Sequence, residues 1–401
     1  MYASANVIAH PHAELPVPNG DFYDIKGMLT GDERAILEKV RTFNDTKVAP
    51  IINDYWVRDA FPFELIEPLK TLDIGRLGIA RGGRPLLTGL MAMEFMRTDP
   101  SFATFYGVHT GLAMGSIALL GSDEQKAKWL PPMERFEIIG CFGLTEPLVG
   151  SGTGGGLLTT AKRDGDSWIL NGEKKWIGNA TWCDISIIWA RDVDDNQVKG
   201  FIVENKTTPG FRVEKIENKM ALKVVQNGHI IMENCRVPEA NRLQNANTFR
   251  DTALVLRETR SGVGWAATGI QMGAFELAVR YAQTRLQFGK PIGAFQMMQD
   301  LIARMLANLT ASQAMMYRLA EIEEAGKLTD QEASLAKAFT TQRMRETVAW
   351  ARELHGANGI LVDSNIGRLF ADAEAIYSYE GTFQMQNLIV AKAATGLSAF
   401  V

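Results

Sequence analysis

The period of apolar positions along the chain changes twice. Residues 1–29 open with prolines (Pro11, Pro16, Pro18) and read as an extended segment laid over the surface. From Thr30 the spacing is helical. Thr30 followed by Glu33 spells a capping box ahead of Ile36, Leu37 and Val40, and Ser122 with Gln125 spells another. Leu86 to Met96 is apolar enough for a buried helix, so residues 30–137 are expected to form an N-terminal helical domain.

From Ile138 the pattern shortens towards two. Leu157–Lys162, Trp168–Leu170, Ile185–Ala190, Gly200–Val203 and His229–Met232 are short, β-branched or aromatic, and bounded by turn residues. Asn171-Gly172, between Trp168–Leu170 and Lys174–Ile177, predicts a hairpin with a type I′ turn, and Asp192–Asn196 predicts another turn. No helix of useful length separates these strands. Residues 138–245 are therefore expected to be a middle antiparallel β-barrel whose last strand ends near Pro238. A period near 3.6 then returns with Val263, Ala266, Ala267, Ile270, Ala274, Leu277, Ala278 and Tyr281 on one helix face, ended by Gly289 and Pro291. Leu301 to Leu319 gives a second helix, and Thr329 with Glu332 caps a third running to about Leu354. Residues 246–401 are expected to form a C-terminal four-helix bundle, so the class is mainly α with a β domain.

Composition narrows the function more than the fold. The 401 residues are 46% hydrophobic and 22% charged, which excludes a disordered or fibrous chain. Lys plus Arg number 42 against 46 acidic residues, and that balance weighs against a dedicated nucleic-acid binder. No run of about 18 apolar residues suggests a membrane span. The first 25 residues hold no Lys or Arg, unlike a secretory or transit segment, and Ala399-Phe400-Val401 is no peroxisomal address. Three widely spaced cysteines (Cys141, Cys183, Cys235) suit a reducing compartment, so a cytoplasmic protein is expected.

Familiar catalytic signatures are mostly missing. Gly150-Ser151-Gly152-Thr153-Gly154-Gly155 matches G-x-G-x-x-G, but Glu146-Pro147 precedes it and a strand-like segment follows, which is the wrong context for a dinucleotide fold. Its backbone N–H groups could still receive a phosphate. The five histidines have no zinc-site company, and His109 and His355 read as structural. Tyr377-Ser378-Tyr379-Glu380-Gly381-Thr382 is open to two readings. Glu380 is either a desolvated carboxylate suited to act as a base near neutrality or a solvated acid at a helix start.

Six blocks in register resemble the acyl-CoA dehydrogenase family of flavoproteins. They are Gly140-Cys141-Phe142-Gly143-Leu144-Thr145-Glu146-Pro147, Gly150-Ser151, Asn171-Gly172-x-Lys174-x-Trp176-Ile177, Arg285-x-x-Phe288-Gly289, Gly356-x-Asn358-Gly359 and Tyr379-Glu380-Gly381-Thr382. The wording is most similar to the glutaryl-CoA dehydrogenase branch, which also holds short-chain acyl-CoA oxidases. The resemblance implies FAD as cofactor and an acyl-CoA substrate. Glu380 would be the catalytic base, its N–H helping to hold the thioester oxygen. Phe142, Leu144, Thr145, Gly150, Ser151, Trp176, Ile177 and Gly178 would meet the flavin or its phosphates. Ser151, Arg260, Tyr379, Gly381, Ala103 and Thr104 would lie on the substrate side. Arg285, Phe288, Gln296, Glu353, Leu354 and Gly356 would reach the FAD of a neighbouring subunit, and Thr382 and Gln384 its adenine end. A homotetramer follows, with electron-transfer flavoprotein as acceptor, or O₂ in an oxidase.

Three departures from the family pattern bear on activity. Gly152 stands where the family usually has Asp, and Gly178 where it usually has Thr, a change shared with the oxidases of this branch. Ala103-Thr104 occupies the place where glutaryl-CoA dehydrogenases carry an arginine for the distal carboxylate. A buried carboxylate without a partner is costly, so the resemblance implies α,β-desaturation of a short- or medium-chain monocarboxylic acyl-CoA. The rivals are an oxidase, a decarboxylating glutaryl-CoA dehydrogenase, a DNA-associated flavoprotein of the same fold and, remotely, a nicotinamide enzyme.

Overall fold

The computed structural model describes residues 15–79 and 82–399; His10, Pro11, His12, Phe400 and Val401 lie outside them. The leading segment is extended only to Asn19 and then folds into a 3-10 turn at Ile25–Met28, which corrects the expectation of a wholly extended stretch. It is tied down. Gln283 donates to the Pro16 carbonyl at 2.8 Å, and Lys26 pairs with buried Glu94 at 2.7 Å.

Both N-terminal capping boxes form, at Thr30/Glu33 ahead of Gly31–Phe43 and at Ser122/Gln125 ahead of Asp123–Glu134. Each satisfies backbone N–H groups that a helix start leaves unpaired. Pro85–Thr98 is a buried helix, as its composition predicts. Phe43, Phe61, Phe95, Phe102 and Phe105 pack around it with ring centroids 4.9–6.4 Å apart. Burying each such ring is worth roughly 1.5–3 kcal/mol. The run Pro100–Leu120 has the length and hydropathy of a membrane span, contrary to the sequence reading, yet 67% of its apolar window is buried inside the protein. It is a core helix.

The middle region is a sheet of seven strands: β1 (Gly140–Gly143), β2 (Thr160–Asp164), β3 (Ser167–Ile177), β4 (Ile185–Asp192), β5 (Val198–Glu204), β6 (Phe211–Lys215) and β7 (Gly228–Pro238). Strand β4 pairs with β5 along one edge and meets β1 and then β2, both parallel, along the other; β3, β7 and β6 continue antiparallel. The sheet is thus mixed rather than antiparallel. Among the described residues no ladder joins β5 to β6, so it is a curled open sheet and not a closed barrel. The Asn171-Gly172 hairpin is also corrected. Both residues lie inside the continuous strand β3, at a register shift against β7, where Gly172 has φ +137°. A Cβ there would sit 2.7 Å from the Thr159 Cα, so the glycine serves a bulge and a close approach, not a turn. The true hairpin turns at Gly165. Leu157–Thr159 precede β2 instead of opening it. The Asp192–Asn196 turn is present.

Three long helices follow, Phe249–Thr284, Gln296–Glu324 and Asp330–Leu354, and two shorter ones, Ile366–Ser378 and Phe383–Thr395. Among the described residues the C-terminal unit thus holds five α-helices. A buried charge network locks it to the N-terminal helices. Glu94 meets Arg41 and Arg97, both of which also reach Glu276 on the first long helix at 3.3 Å. Arg368 reaches across to Asp99. These clamps fix the walls of the cavity described next.

Candidate functional site

A cavity of about 1690 Å³ opens where the helical units meet the sheet. Its walls include Phe142, Leu144, Thr145, Gly150, Ser151, Trp176, Ile177 and Gly178 from the sheet region. Ala103 and Thr104 come from the N-terminal helices, and Arg260, Tyr379, Glu380, Gly381 and Thr382 from the C-terminal unit. These residues, scattered over the sequence, line one cavity.

Glu380 stands between the last two helices with φ +50°, a left-handed conformation that costs a non-glycine residue on the order of 1–3 kcal/mol. The surroundings hold it there. Gln386 donates from Nε2 to the Glu380 carbonyl at 3.1 Å and to the Gly381 carbonyl at 3.0 Å. The Lys337 ammonium, on the third long helix, donates to the carbonyls of Tyr379 and Gly381. The Thr259 hydroxyl donates to Glu380 Oε2 at 3.1 Å. Burial raises the Glu380 pKa to about 7, against the lowering pull of Lys337, Thr259 and Arg260. The carboxyl is therefore a desolvated acid–base group working near neutrality. Burial in turn pushes Lys337 down to about 8.

The opposite wall is built with similar care. Lys174 is fully buried and donates from Nζ to Glu146 Oε1 at 2.8 Å and to the Leu144 carbonyl at 3.1 Å. The Glu146 carboxylate also accepts from the N–H groups of Leu158 and Thr159 at 2.6 and 2.9 Å. Thr145 donates from Oγ1 to the Lys175 carbonyl at 2.6 Å. The Leu144–Glu146 loop is thereby pinned against β3. Trp176, at a register shift of β3 with φ +70°, presents a half-exposed indole. The Gly150–Gly155 run lacks a preceding strand and leads into a single helical turn, Thr153–Gly156, so the dinucleotide fold is absent. At the apolar end stand Gly89, Ala92, Phe95, Met96 and Trp265 beside Ala103 and Thr104. Thr104 donates to the Pro100 carbonyl at 2.7 Å.

The remaining expected site residues are not in this cavity. Arg285, Gln296, Glu353, Gly356 and Gln384 are exposed on the outer side of the helices. Phe288 is 91% exposed at the tip of a two-stranded turn between Leu286–Gln287 and Lys290–Pro291. Leu354 is buried in the helical core, so its side chain is not available for a contact between subunits. Both buried histidines are structural. The His109 Nε2–H donates to the Met133 carbonyl at 3.0 Å while Nδ1 accepts from the Gly140 N–H, and His355 stacks on Tyr281. Burial lowers His109 to about 4, keeping it neutral. The described residues hold no cluster able to bind a metal ion, and all three cysteines are free and buried. Sequence reasoning missed Lys337, Gln386 and the donor role of Thr259. Lys174 stood in a quoted motif without a role.

Comparison with known proteins adds independent observations. The chain matches the acyl-CoA dehydrogenase N-terminal domain over residues 30–137, the middle domain over 141–235 and the C-terminal domain over 249–395. It is 33% identical over 379 residues to an acyl-CoA dehydrogenase of Bacillus subtilis (strain 168), covering 92% of this chain and 99% of that protein. A caffeyl-CoA reductase–Etf complex subunit of Acetobacterium woodii is 33% identical over 376 residues, covering 90% and 98%. The solved structure of a glutaryl-CoA dehydrogenase from Mycobacterium smegmatis in complex with FADH2 superposes with a TM-score of 0.91 at 32% identity, covering 96% of this chain and 100% of that one.

Proposed function

The chain belongs to the acyl-CoA dehydrogenase family, oxidoreductases acting on the CH–CH bond of acyl-CoA thioesters, and from that premise we propose that it binds FAD and desaturates a short- or medium-chain monocarboxylic acyl-CoA. The observation that carries this reading is Glu380, a desolvated carboxylate held in strained backbone geometry on the wall of a cavity shared with Thr145 and Trp176.

The residues present fit the cofactor. A Cβ built at Gly107 or Gly150 would meet nothing within 4 Å, so the walls leave open width at both positions. Phe142, Leu144, Thr145 and Trp176 would hold the ring system, and Gly150 and Ser151 its phosphates. When bound, FAD supplies the two-electron acceptor for the hydride that leaves the substrate β-carbon. Everything else falls to the chain. Glu380 takes the α-proton on its carboxylate, and a base titrating near neutrality is both ionised and willing to hold that proton at physiological pH. The Glu380 N–H makes no hydrogen bond among the described residues and is free to donate to the thioester oxygen, stabilising the charge that builds there. The apolar wall at Phe95, Met96 and Trp265 excludes water from the acyl chain.

The acyl end offers Thr104, whose hydroxyl is already donated to a carbonyl, and of the cations lining the cavity Arg84 is paired with Glu33 and Glu324 and Arg260 with Asp330; this favours a monocarboxylic chain over glutaryl-CoA. Electron-transfer flavoprotein is the acceptor we favour over O₂. A Cβ at Gly178 would lie 3.3 Å from Val108 Cγ2 and 3.4 Å from Val225 Cγ2, so the glycine leaves no vacancy of side-chain size for oxygen. The outward-facing Arg285, Phe288, Gln296, Glu353, Gly356 and Gln384 support a homo-oligomer in which they reach a neighbouring subunit's cofactor. The test is anaerobic bleaching of the bound flavin by a panel of acyl-CoAs. Butyryl-CoA should bleach it far faster than glutaryl-CoA, and Glu380→Gln should slow bleaching by roughly 10²–10⁴-fold with flavin retained. Wild-type bleaching by that variant would remove Glu380 from its role.

A further inference from the structure

We propose that Lys337 is a positioning residue for Glu380: its ammonium clamps the turn that aims the carboxylate and stands as the charge that keeps it ionised. This rests on the reading of Glu380 as the base. Lys337 lies on Asp330–Leu354, is fully buried and is not part of the cavity wall, so it does not touch the substrate. Its hydrogen bonds go to the two carbonyls on either side of Glu380, those of Tyr379 and Gly381. Gln386 already holds the carbonyls of Glu380 and Gly381 with a neutral amide. A second neutral donor would have completed the clamp without the penalty of burying a charge. The ammonium adds what an amide cannot, an electrostatic partner for the carboxylate on a water-poor wall.

The groups facing Glu380 define what Lys337 must offset. From the first long helix come the Thr259 hydroxyl and Arg260, whose guanidinium is engaged by Asp330 at 3.2 Å. From the third comes Lys337, and from its own segment the half-buried Tyr379. Burial drives the carboxyl towards its neutral form, and Lys337 is the largest opposing influence. Since only the ionised carboxylate can accept the α-proton, loss of the ammonium should move the acidic limb of the rate profile upward.

The experiment measures anaerobic flavin reduction against pH in the FAD-loaded enzyme for wild type, Lys337→Gln and Lys337→Arg. It is paired with isotope-edited infrared titration of the glutamate carboxyl, with Glu380→Gln identifying the band. Lys337→Gln should shift both the limb and the band upward by about 1 pH unit or more, the scale for removing an opposite charge at close range. Reduction at about pH 6 should then be roughly tenfold slower than in wild type, the two converging at high pH. Binding of a CoA thioether that lacks the carbonyl should change less than about twofold, because Lys337 does not contact the ligand. Lys337→Arg keeps the charge and should leave the limb near its wild-type position even where the rate falls. An unshifted limb and band in Lys337→Gln, or a shifted limb in Lys337→Arg, overturns the proposal. Should Lys337→Gln not fold, the arginine variant still decides. If Glu380→Gln bleaches normally, the base assignment itself has failed. If that variant is inactive while the lysine variants keep the wild-type profile, only the role of Lys337 has.

Discussion

Breaking the Glu146–Lys174 pair should unseat the cofactor loop, and the two halves of the pair should not cost the same. Both side chains are almost wholly inaccessible, at 2% and 0%. Removing one partner of a buried pair costs about 3–5 kcal/mol, because a charge is left without compensation. After Lys174→Met the Glu146 carboxylate still accepts from the Leu158 and Thr159 N–H groups. After Glu146→Gln the ammonium keeps the Leu144 carbonyl and at best a neutral amide oxygen. Glu146→Gln is therefore expected near the top of that range and Lys174→Met near or below its bottom. The double variant should recover about 1–2 kcal/mol relative to the sum. Burial already lowers the Lys174 pKa to about 8 in the wild type. In Glu146→Gln the native lysine sheds its proton more readily still, while the unfolded chain keeps its own. The unfolded state then binds more protons, so the deficit should shrink as pH rises from about 7 to about 9. Urea unfolding followed by circular dichroism gives the stabilities, and flavin absorbance relative to protein gives occupancy. Single variants within about 0.5 kcal/mol of wild type and fully loaded with flavin would refute the reasoning.

Three further outcomes follow from named contacts. A Cβ at Gly89 would lie 2.2 Å from Trp265 Cε2, so Gly89→Ala must displace the indole; it should lose about 1–3 kcal/mol and weaken acyl-CoA binding several-fold, and Gly89→Ala with Trp265→Phe should regain part of both, as read by thermal melting and kcat/KM. Gly178→Thr must push back Val108 and Val225, yet reoxidation of the reduced enzyme by O₂ should change less than about twofold; a stopped-flow slowing of tenfold or more would show that the glycine admits oxygen after all. Glu380 has a folded pKa near 7 against an ordinary 4.5, so the folded state binds its proton more tightly and stability is lost as pH rises between those values. Glu380→Gln should therefore melt higher than wild type at about pH 8 and level with it at about pH 5, and a wild-type advantage at the higher pH would contradict the assignment.

Local signals proved legible in proportion to how local their causes are. The capping boxes at Thr30, Ser122 and Thr329 each need only four residues, and all three form. The long helices follow from apolar spacing within one element. Asn171-Gly172 misled because the same dipeptide that favours a tight turn also suits a bulge. The choice was made by Thr159, which lies close to Gly172 from just ahead of β2 and is invisible in a local window. Strand β1 went unread for a similar reason. Gly140–Gly143 carries no alternation because all four residues are buried, and its pairing partner begins at Ile185. The sheet's parallel pairs depend on such distant partners, so an antiparallel barrel was the natural but mistaken expectation.

The site shows the same division at the level of chemistry. Glu380 could be singled out because aromatic neighbours and a following glycine sit beside it in the chain. What sets its proton affinity could not. Its hydroxyl donor, Thr259, is 121 residues away, and the Lys337 clamp on Tyr379 spans 42 residues. In sequence, Lys337 is one more lysine on an amphipathic helix, where a solvated side chain is the ordinary fate. Only the packing of the third long helix against the last two turns it inward. A carboxylate is therefore readable as a candidate from its neighbours in the chain, but the protonation state that gives it work to do is set by charges that only the tertiary fold delivers.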